Sequence, residues 1–261
     1  MDLNPTLARL KPAGMADEEW GVRLELAAMY RLFVHCGWVE MIYNHITARV
    51  PGPERHYLIN PFGLNYDEVT ATNLVKVNLA GEAVDGSPHM VNKAGFVIHS
   101  AVHAAREDAH CLIHTHTTAI MGVACKREGL RYDNFYSAQL HGLVATHPFE
   151  GITTDVGEQK RLVANLGDKP VLMLKNHGVL VAGPHIPQAL TLYWTVQRGC
   201  EVQLAADSLR GDNEPVGQAV LDAIPAQAQF FRTGAGGGPR RGQLFFDALM
   251  RRAGLRYEDL A

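Results

Sequence analysis

Residues 169–183 read KPVLMLKNHGVLVAG. Two apolar runs flank the triplet Asn176-His177-Gly178, whose residue types favour a tight turn. Short apolar runs bounded by turn residues read as buried strands, so this stretch is a strand pair inside a layered domain. Upstream, CLIHTHT at 111–117 reads as another buried strand, and TAIMGVAC at 118–125 as a helix of small residues. AGFVIHSAVHAARE at 94–107 has helical spacing. Downstream, Pro187 opens a long helix, PQALTLYWTVQRGCEVQLAADSL, with proline in the first turn, where its missing N–H is harmless.

Further towards the N-terminus, the run at 17–37, DEEWGVRLELAAMYRLFVHCG, reads as an amphipathic helix with Asp17 as its N-cap and Gly37 as its stop. NHITARV at 44–50, HYLINP at 56–61 and the segment 75–79 are strand candidates, the first two separated by Pro51-Gly52-Pro53. Strands alternating with helices in this way indicate an α/β fold. Residues 1–16 read as a loose arm broken by Pro5, Pro12 and Gly14, and 17–210 as the main domain. A flexible linker is expected over 211–240, where RTGAGGGPRRG begins, followed by a helical tail at 241–261 that needs an apolar surface to cover.

The chain has 261 residues, enough for one large domain with a substantial core. Its formal net charge of −3 and lack of a long basic run argue against nucleic acid or an anionic membrane as partner. No apolar window reaches the ~18 residues a membrane span requires. The four cysteines, Cys36, Cys111, Cys125 and Cys200, are scattered in apolar stretches without a CxxC pair. They read as buried free thiols in a reducing, cytoplasmic setting.

Chemistry is concentrated in the histidines. Strand alternation in CLIHTHT puts Leu112, His114 and His116 on one face, and Cys111, Ile113 and Thr115 on the other. Two imidazoles side by side suit one metal ion, with the third ligand coming from elsewhere. His177, in its turn between buried strands, is placed to point back over a sheet edge. Imidazole ligation suits Zn, Fe, Mn or Co and leaves positions open for substrate. His99 and His103 stand four residues apart on one helix face, but Ser100 follows the first, where an HExxH motif requires glutamate. One of the two is expected to face the active site and the other the surface or a subunit contact.

The ordered segments GWVEMIYNHITARV, HYLINPFGLNYDEVTATNLVKV, VNKAGFVIHSAVHAARED, CLIHTHT, LKNHGVLVAG and GCEVQLAA resemble the class II aldolase/adducin family, most closely its adducin-like bacterial branch. The resemblance implies a three-layer α/β/α sandwich with a mostly antiparallel central sheet, and homotetramers with sites near subunit interfaces. It also implies one divalent metal per chain, zinc first with iron or manganese as alternatives, on His114, His116 and His177.

Two departures matter. The family's aldolases carry a glutamate four residues before the helix histidine, where this chain has Gly95. Their phosphate-binding positions read here Tyr43-Asn44-His45 and Lys93-Ala94, which argues against a sugar phosphate and makes His45 and Lys93 candidates for binding a carboxylate. His99, Tyr43 and Tyr66 are the candidate proton-transfer residues.

The function expected is a metal-dependent lyase, of aldolase or decarboxylase type, on a small keto or hydroxy acid through a metal-stabilised enolate. The alternatives are a non-haem iron oxygenase on a similar acid and a non-catalytic adducin-like interaction module.

Overall fold

The computed structural model describes residues 3–152, 156–233 and 240–261, with the side chains of residues 93, 94, 96, 156 and 229–233 outside the description. Seven strands form one sheet: β1 (His45–Arg49), β2 (Tyr57–Ile59), β3 (Val75–Val77), β4 (Cys111–Thr115), β5 (Val144–His147), β6 (Val171–Leu174) and β7 (Gly178–Gly183). Their order across the sheet is β3-β2-β1-β4-β7-β6-β5. Only the β5–β6 pair is parallel; every other neighbour is antiparallel. The helices are α1 (Pro5–Leu10), α2 (Asp17–Cys36), α3 (Lys93–Ala105), α4 (Thr118–Cys125), α5 (Phe135–Ala138), α6 (Val156–Leu166), α7 (Ile186–Asp207), α8 (Gln218–Thr233) and α9 (Gln243–Ala253).

Period-two alternation in the central strands divides the core in two. Cys111, Ile113, Val171, Met173, Val179 and Val181 face a large cluster built with α2, α4, α7 and α9. Leu112, Leu172, Leu174, Leu180 and Ala182 face a smaller cluster with Ile98 and Val102 of α3 and Leu162 and Leu166 of α6. The sheet therefore lies between two helical layers, and the α/β/α sandwich with a mostly antiparallel sheet is the observed architecture. Trp20, Tyr30 and Phe33 of α2 are fully buried, each worth roughly 1.5–3 kcal/mol or more of apolar transfer.

Several elements differ from the sequence reading. Residues 5–10, within the expected arm, form α1, because the Asn4 side chain caps the Thr6 and Leu7 amides at 3.0 and 2.9 Å. Leu7 is buried, and its carbonyl accepts from Trp20 Nε1 at 2.9 Å. Residues 218–233, within the expected linker, form α8 despite Pro225; the Gly-rich residues 234–239 lie outside the described ones. Among the cysteines, Cys111 and Cys200 are buried as free thiols, Cys36 is half-buried, and Cys125 is exposed, contrary to expectation. No helix among the described residues is long and apolar enough to cross a membrane.

The tail covers its own chain. Phe246 and Met250 of α9 are buried in the large core cluster, and Phe245 packs on Trp194 of α7 at 5.3 Å between ring centroids. The terminal turn Tyr257–Leu260 closes the same face, with the Leu260 carbonyl accepting from the Ala71 amide at 2.7 Å. Phe246→Ala is expected to lower unfolding free energy by about 3 kcal/mol or more. Leu244→Ala, on the exposed face of the same helix, should stay within about 0.5 kcal/mol of wild type in the same denaturant titration.

Candidate metal centre

β1 and β4 pair so that His45 stands opposite His114, and β4 and β7 pair so that His114 stands opposite Leu180. His116 follows immediately after β4, and its backbone N–H donates to Asn44 Oδ1 at 3.2 Å. His177 sits in the turn between β6 and β7, beside Asn176 in the left-handed region at φ +54°. This turn closes tightly on the end of β4: a Cβ at position 178 would lie 2.3 Å from the Thr115 carbonyl oxygen. Only glycine allows that approach, which brings His177 to the HxH pair.

One potential ligand atom from each of His114, His116 and His177 lies within 4.8 Å of the others. The Nε2 atoms of His114 and His116 are 2.8 Å apart. His114 Nδ1 faces the Val179 carbonyl at 2.9 Å. A carbonyl only accepts, so the proton is on Nδ1 and the Nε2 lone pair is free towards the other two rings, an outer-shell arrangement typical of metal-binding histidines. Burial, the leading cause in each case, holds His114 well below its usual pKa, lowers His116, and brings His177 to about 4. Neutral imidazole is the ligating form, so the donor set fits a divalent cation of the zinc, iron or manganese type.

The three rings form part of the floor of a cleft of about 680 Å³. Phe62, Met121, Phe149 and Ile152 make its walls largely apolar, and Tyr43 and Glu40 also line it. Glu40 is the one carboxylate among these lining residues, and its charge acts on His116 against the effect of burial. Sequence reading gave no sign of Glu40, which lies in an irregular stretch between α2 and β1 with no periodic pattern to place it.

The other expected site residues divide. Tyr43 is exposed and lines the cleft, as does His45, which is buried and brought to about pKa 3 by burial, followed by the neighbouring His116 and His177. His99 does not line it; it is fully buried one ring further back, with Nε2 3.0 Å from His45 Nδ1. His103 is buried as well, so neither α3 histidine faces solvent. Tyr66 is far from its expected role. Asn65 and Glu68 cap a short turn that lays the phenol into the core, 4.5 Å from Tyr30 between ring centroids. Its hydroxyl has no partner among the described residues, and burial pushes its pKa well up. Lys93 begins α3, but its side chain lies outside the described residues.

A second cluster of potential ligands, His147, Glu150 and Glu158, is already engaged internally. His147 Nε2 is 3.3 Å from Glu158, Asn165 Nδ2 is 2.8 Å from His147 Nδ1, and Arg161 Nε donates to both Glu150 oxygens at 3.0 Å. That is an ion-pair network anchoring the segment that carries Phe149, and the three-histidine group is the better candidate for a metal centre.

Comparison with known proteins gives the family. The family model described as class II aldolase and adducin N-terminal domain matches residues 24–204. This chain belongs to the class II aldolase and adducin family. A Pseudomonas aeruginosa protein named after the class 2 aldolases is 41% identical over 243 residues, 92% of each chain. Rat alpha-adducin is 42% identical across 88% of this chain, which spans only 32% of the adducin. The crystal structure of an aldolase II superfamily protein from Pseudomonas syringae superposes with a TM-score of 0.84 at 40% identity, over 92% of this chain and 94% of that one. The L-fuculose 1-phosphate aldolase of Glaciozyma antarctica superposes at 0.78 with 26% identity, over 96% and 98%.

The buried histidines make stability depend on pH with a definite sign. His45 and His103 are brought to about 3 and His177 to about 4, each mainly by burial, from an ordinary value near 6.5. Below 6.5 the unfolded chain binds protons that the folded chain refuses, so stability is lost as pH falls towards the folded values. Each fully buried ring contributes on the order of 2 kcal/mol of loss between pH 7 and pH 5. Carboxylates with lowered pKa titrate below this window. Urea unfolding of the metal-free protein should therefore show several kcal/mol less stability at pH 5 than at pH 7; equal midpoints would contradict neutral burial of these rings.

Proposed function

We propose that this protein is a divalent-metal-dependent lyase, of aldolase or decarboxylase type, acting on a small keto or hydroxy acid. The convergence of three neutral imidazoles at the floor of an open cleft supports this reading most. Structural zinc is usually closed by four protein ligands, whereas three ligands with an open side suit catalysis. When bound there, a divalent cation supplies a Lewis acid that draws charge from substrate oxygens as a neighbouring carbon–carbon bond breaks.

The chain's own residues complete the proposed site. His114, His116 and His177 hold the metal, and the Val179 carbonyl orients the first of them. His45 touches substrate, while Tyr43 and Glu40 are positioned at the cleft to move protons. Lys93 is proposed as a partner for the substrate carboxylate. The lining contains no Lys or Arg among the described residues, so an acid head group would meet positive charge chiefly at the metal. The apolar walls suit an aliphatic or aromatic substituent better than a sugar phosphate. Exposed Met41, Met90 and Ile152 beside the cleft support burial of its rim between subunits of a homotetramer.

Kinship with alpha-adducin supports a second reading, an interaction module without catalysis. Elemental mass spectrometry of untagged protein, purified without chelator, separates the two. About one metal per chain in the wild type, lost in the His114→Ala/His116→Ala variant, is expected for the enzyme. Zinc or manganese fits the lyase, and iron would shift the assignment to an oxygenase. A wild type that takes up no metal even after reconstitution leaves the module reading in its place.

A further inference from the structure

Behind the metal ligands runs a chain of hydrogen bonds whose direction is set from one end. His103 Nδ1 lies 3.0 Å from the Ala109 carbonyl, which can only accept, so Nδ1 carries the proton and Nε2 is an acceptor. Thr47 Oγ1, 2.8 Å from that Nε2, donates to it. The hydroxyl has one proton, so at 2.7 Å it accepts from His99 Nδ1. His99 Nε2 is then an acceptor and receives the His45 Nδ1 proton at 3.0 Å. The chain finishes at His45 Nε2, left without a proton and without a hydrogen-bond partner among the described residues. No carboxylate contacts these three buried rings among the described residues, and buried cations without a counter-charge are costly, so the rings are neutral.

Sequence and space agree on why this imidazole can stand there. An ideal Cβ at Gly95 would lie 2.5 Å from His45 Cδ2 and 2.7 Å from His45 Nε2. The ring occupies the volume that any side chain at 95 would need. β1 supplies His45 and Thr47 from one face, and α3 supplies His99 and His103 one turn apart, so two periodicities interlock to build the chain. His45 itself lines the cleft, its ring centroid 4.9 Å from that of His114.

We propose that His45 Nε2 is a substrate-contacting acceptor, held in one tautomer by the Ala109–His103–Thr47–His99 relay, and that it selects a substrate presenting a hydroxyl there over one presenting a carbonyl. A hydroxyl donates to the lone pair, whereas a carbonyl oxygen would oppose it with lone pairs of its own. Thr47, His99 and His103 are positioning residues. The substrate class rests on the lyase reading above, but the tautomer does not.

The test uses metal-free protein labelled with ¹⁵N-histidine, whose ring tautomers are read from long-range ¹H–¹⁵N correlations. Protons on Nδ1 of His45, His99 and His103 are expected in the wild type and in Thr47→Ser, which keeps the hydroxyl. Thr47→Val should release His45 into a mixture of tautomers. In zinc-loaded protein, calorimetry with lactate and pyruvate as probes should show lactate binding on the order of tenfold tighter in the wild type and Thr47→Ser. That preference should collapse in Thr47→Val. An Nε2 proton on His45, or the same lactate-to-pyruvate ratio in all three proteins, overturns the proposal. Expected tautomers in a protein that refuses zinc would sink the lyase reading and leave the relay standing; the wrong tautomer in a zinc-binding protein does the reverse.

Discussion

The approach of the β6–β7 turn to the end of β4 governs the geometry of this protein's centre. At Gly178 the backbone comes so close to the Thr115 carbonyl that no Cβ fits. His177 reaches the HxH pair only because of it. The register of β7 on β4 also places Val179 where its carbonyl orients His114. A larger residue at 178 would push the turn away and disturb two of the three ligands together. The rest of the sheet supports this contact: Thr115 Oγ1 donates to Tyr193 Oη at 3.1 Å and Thr117 Oγ1 to Gln197 at 2.7 Å, tying the end of β4 to α7.

Electrostatically, the centre is built from buried and half-buried imidazoles, with no buried carboxylate in their group among the described residues. Low polarity around His45, His99, His103 and His114 favours their uncharged forms, and uncharged imidazole serves both as ligand and as hydrogen-bond acceptor. The glutamate that the family's aldolases carry is replaced by the backbone of Gly95 and the ring of His45 in the vacated space. Among the described lining residues, Glu40, at an exposed position, is the one source of negative charge in the cleft. An anionic substrate would therefore meet a centre whose positive charge is not cancelled by a protein ligand.

Much of this was legible in the sequence, and the exceptions have physical reasons. Alternation in CLIHTHT assigns His114 to one face correctly because strand periodicity is local, and the NHG turn is equally local. Gly95 marks a missing carboxylate as soon as the family pattern is laid on the chain. The partners of His99 could not be read this way. Its contacts to Thr47 and His45 bridge more than fifty residues between α3 and β1, and helical spacing says which face a residue occupies but not what faces it. Tyr66 misleads because its polar surroundings suggest an exposed loop, whereas the cap between Asn65 and Glu68 turns the ring inwards. Helix α1 is obscured by Pro5 in its first turn and Pro12 just beyond its end, neither of which interrupts it, and α8 by the glycines that follow.

Three imidazoles, and no carboxylate or thiolate of this chain, are proposed to hold a divalent ion with room left for substrate. X-ray absorption at the metal edge of zinc-loaded protein tests it most directly. Three imidazole nitrogens are expected at about 2.0–2.1 Å, with the remaining coordination from exchangeable oxygen. A fall from three imidazole nitrogens to two in His177→Ala would tie that signal to this turn. A sulfur shell near 2.3 Å, or a coordination sphere unchanged when His177 is removed, would contradict it.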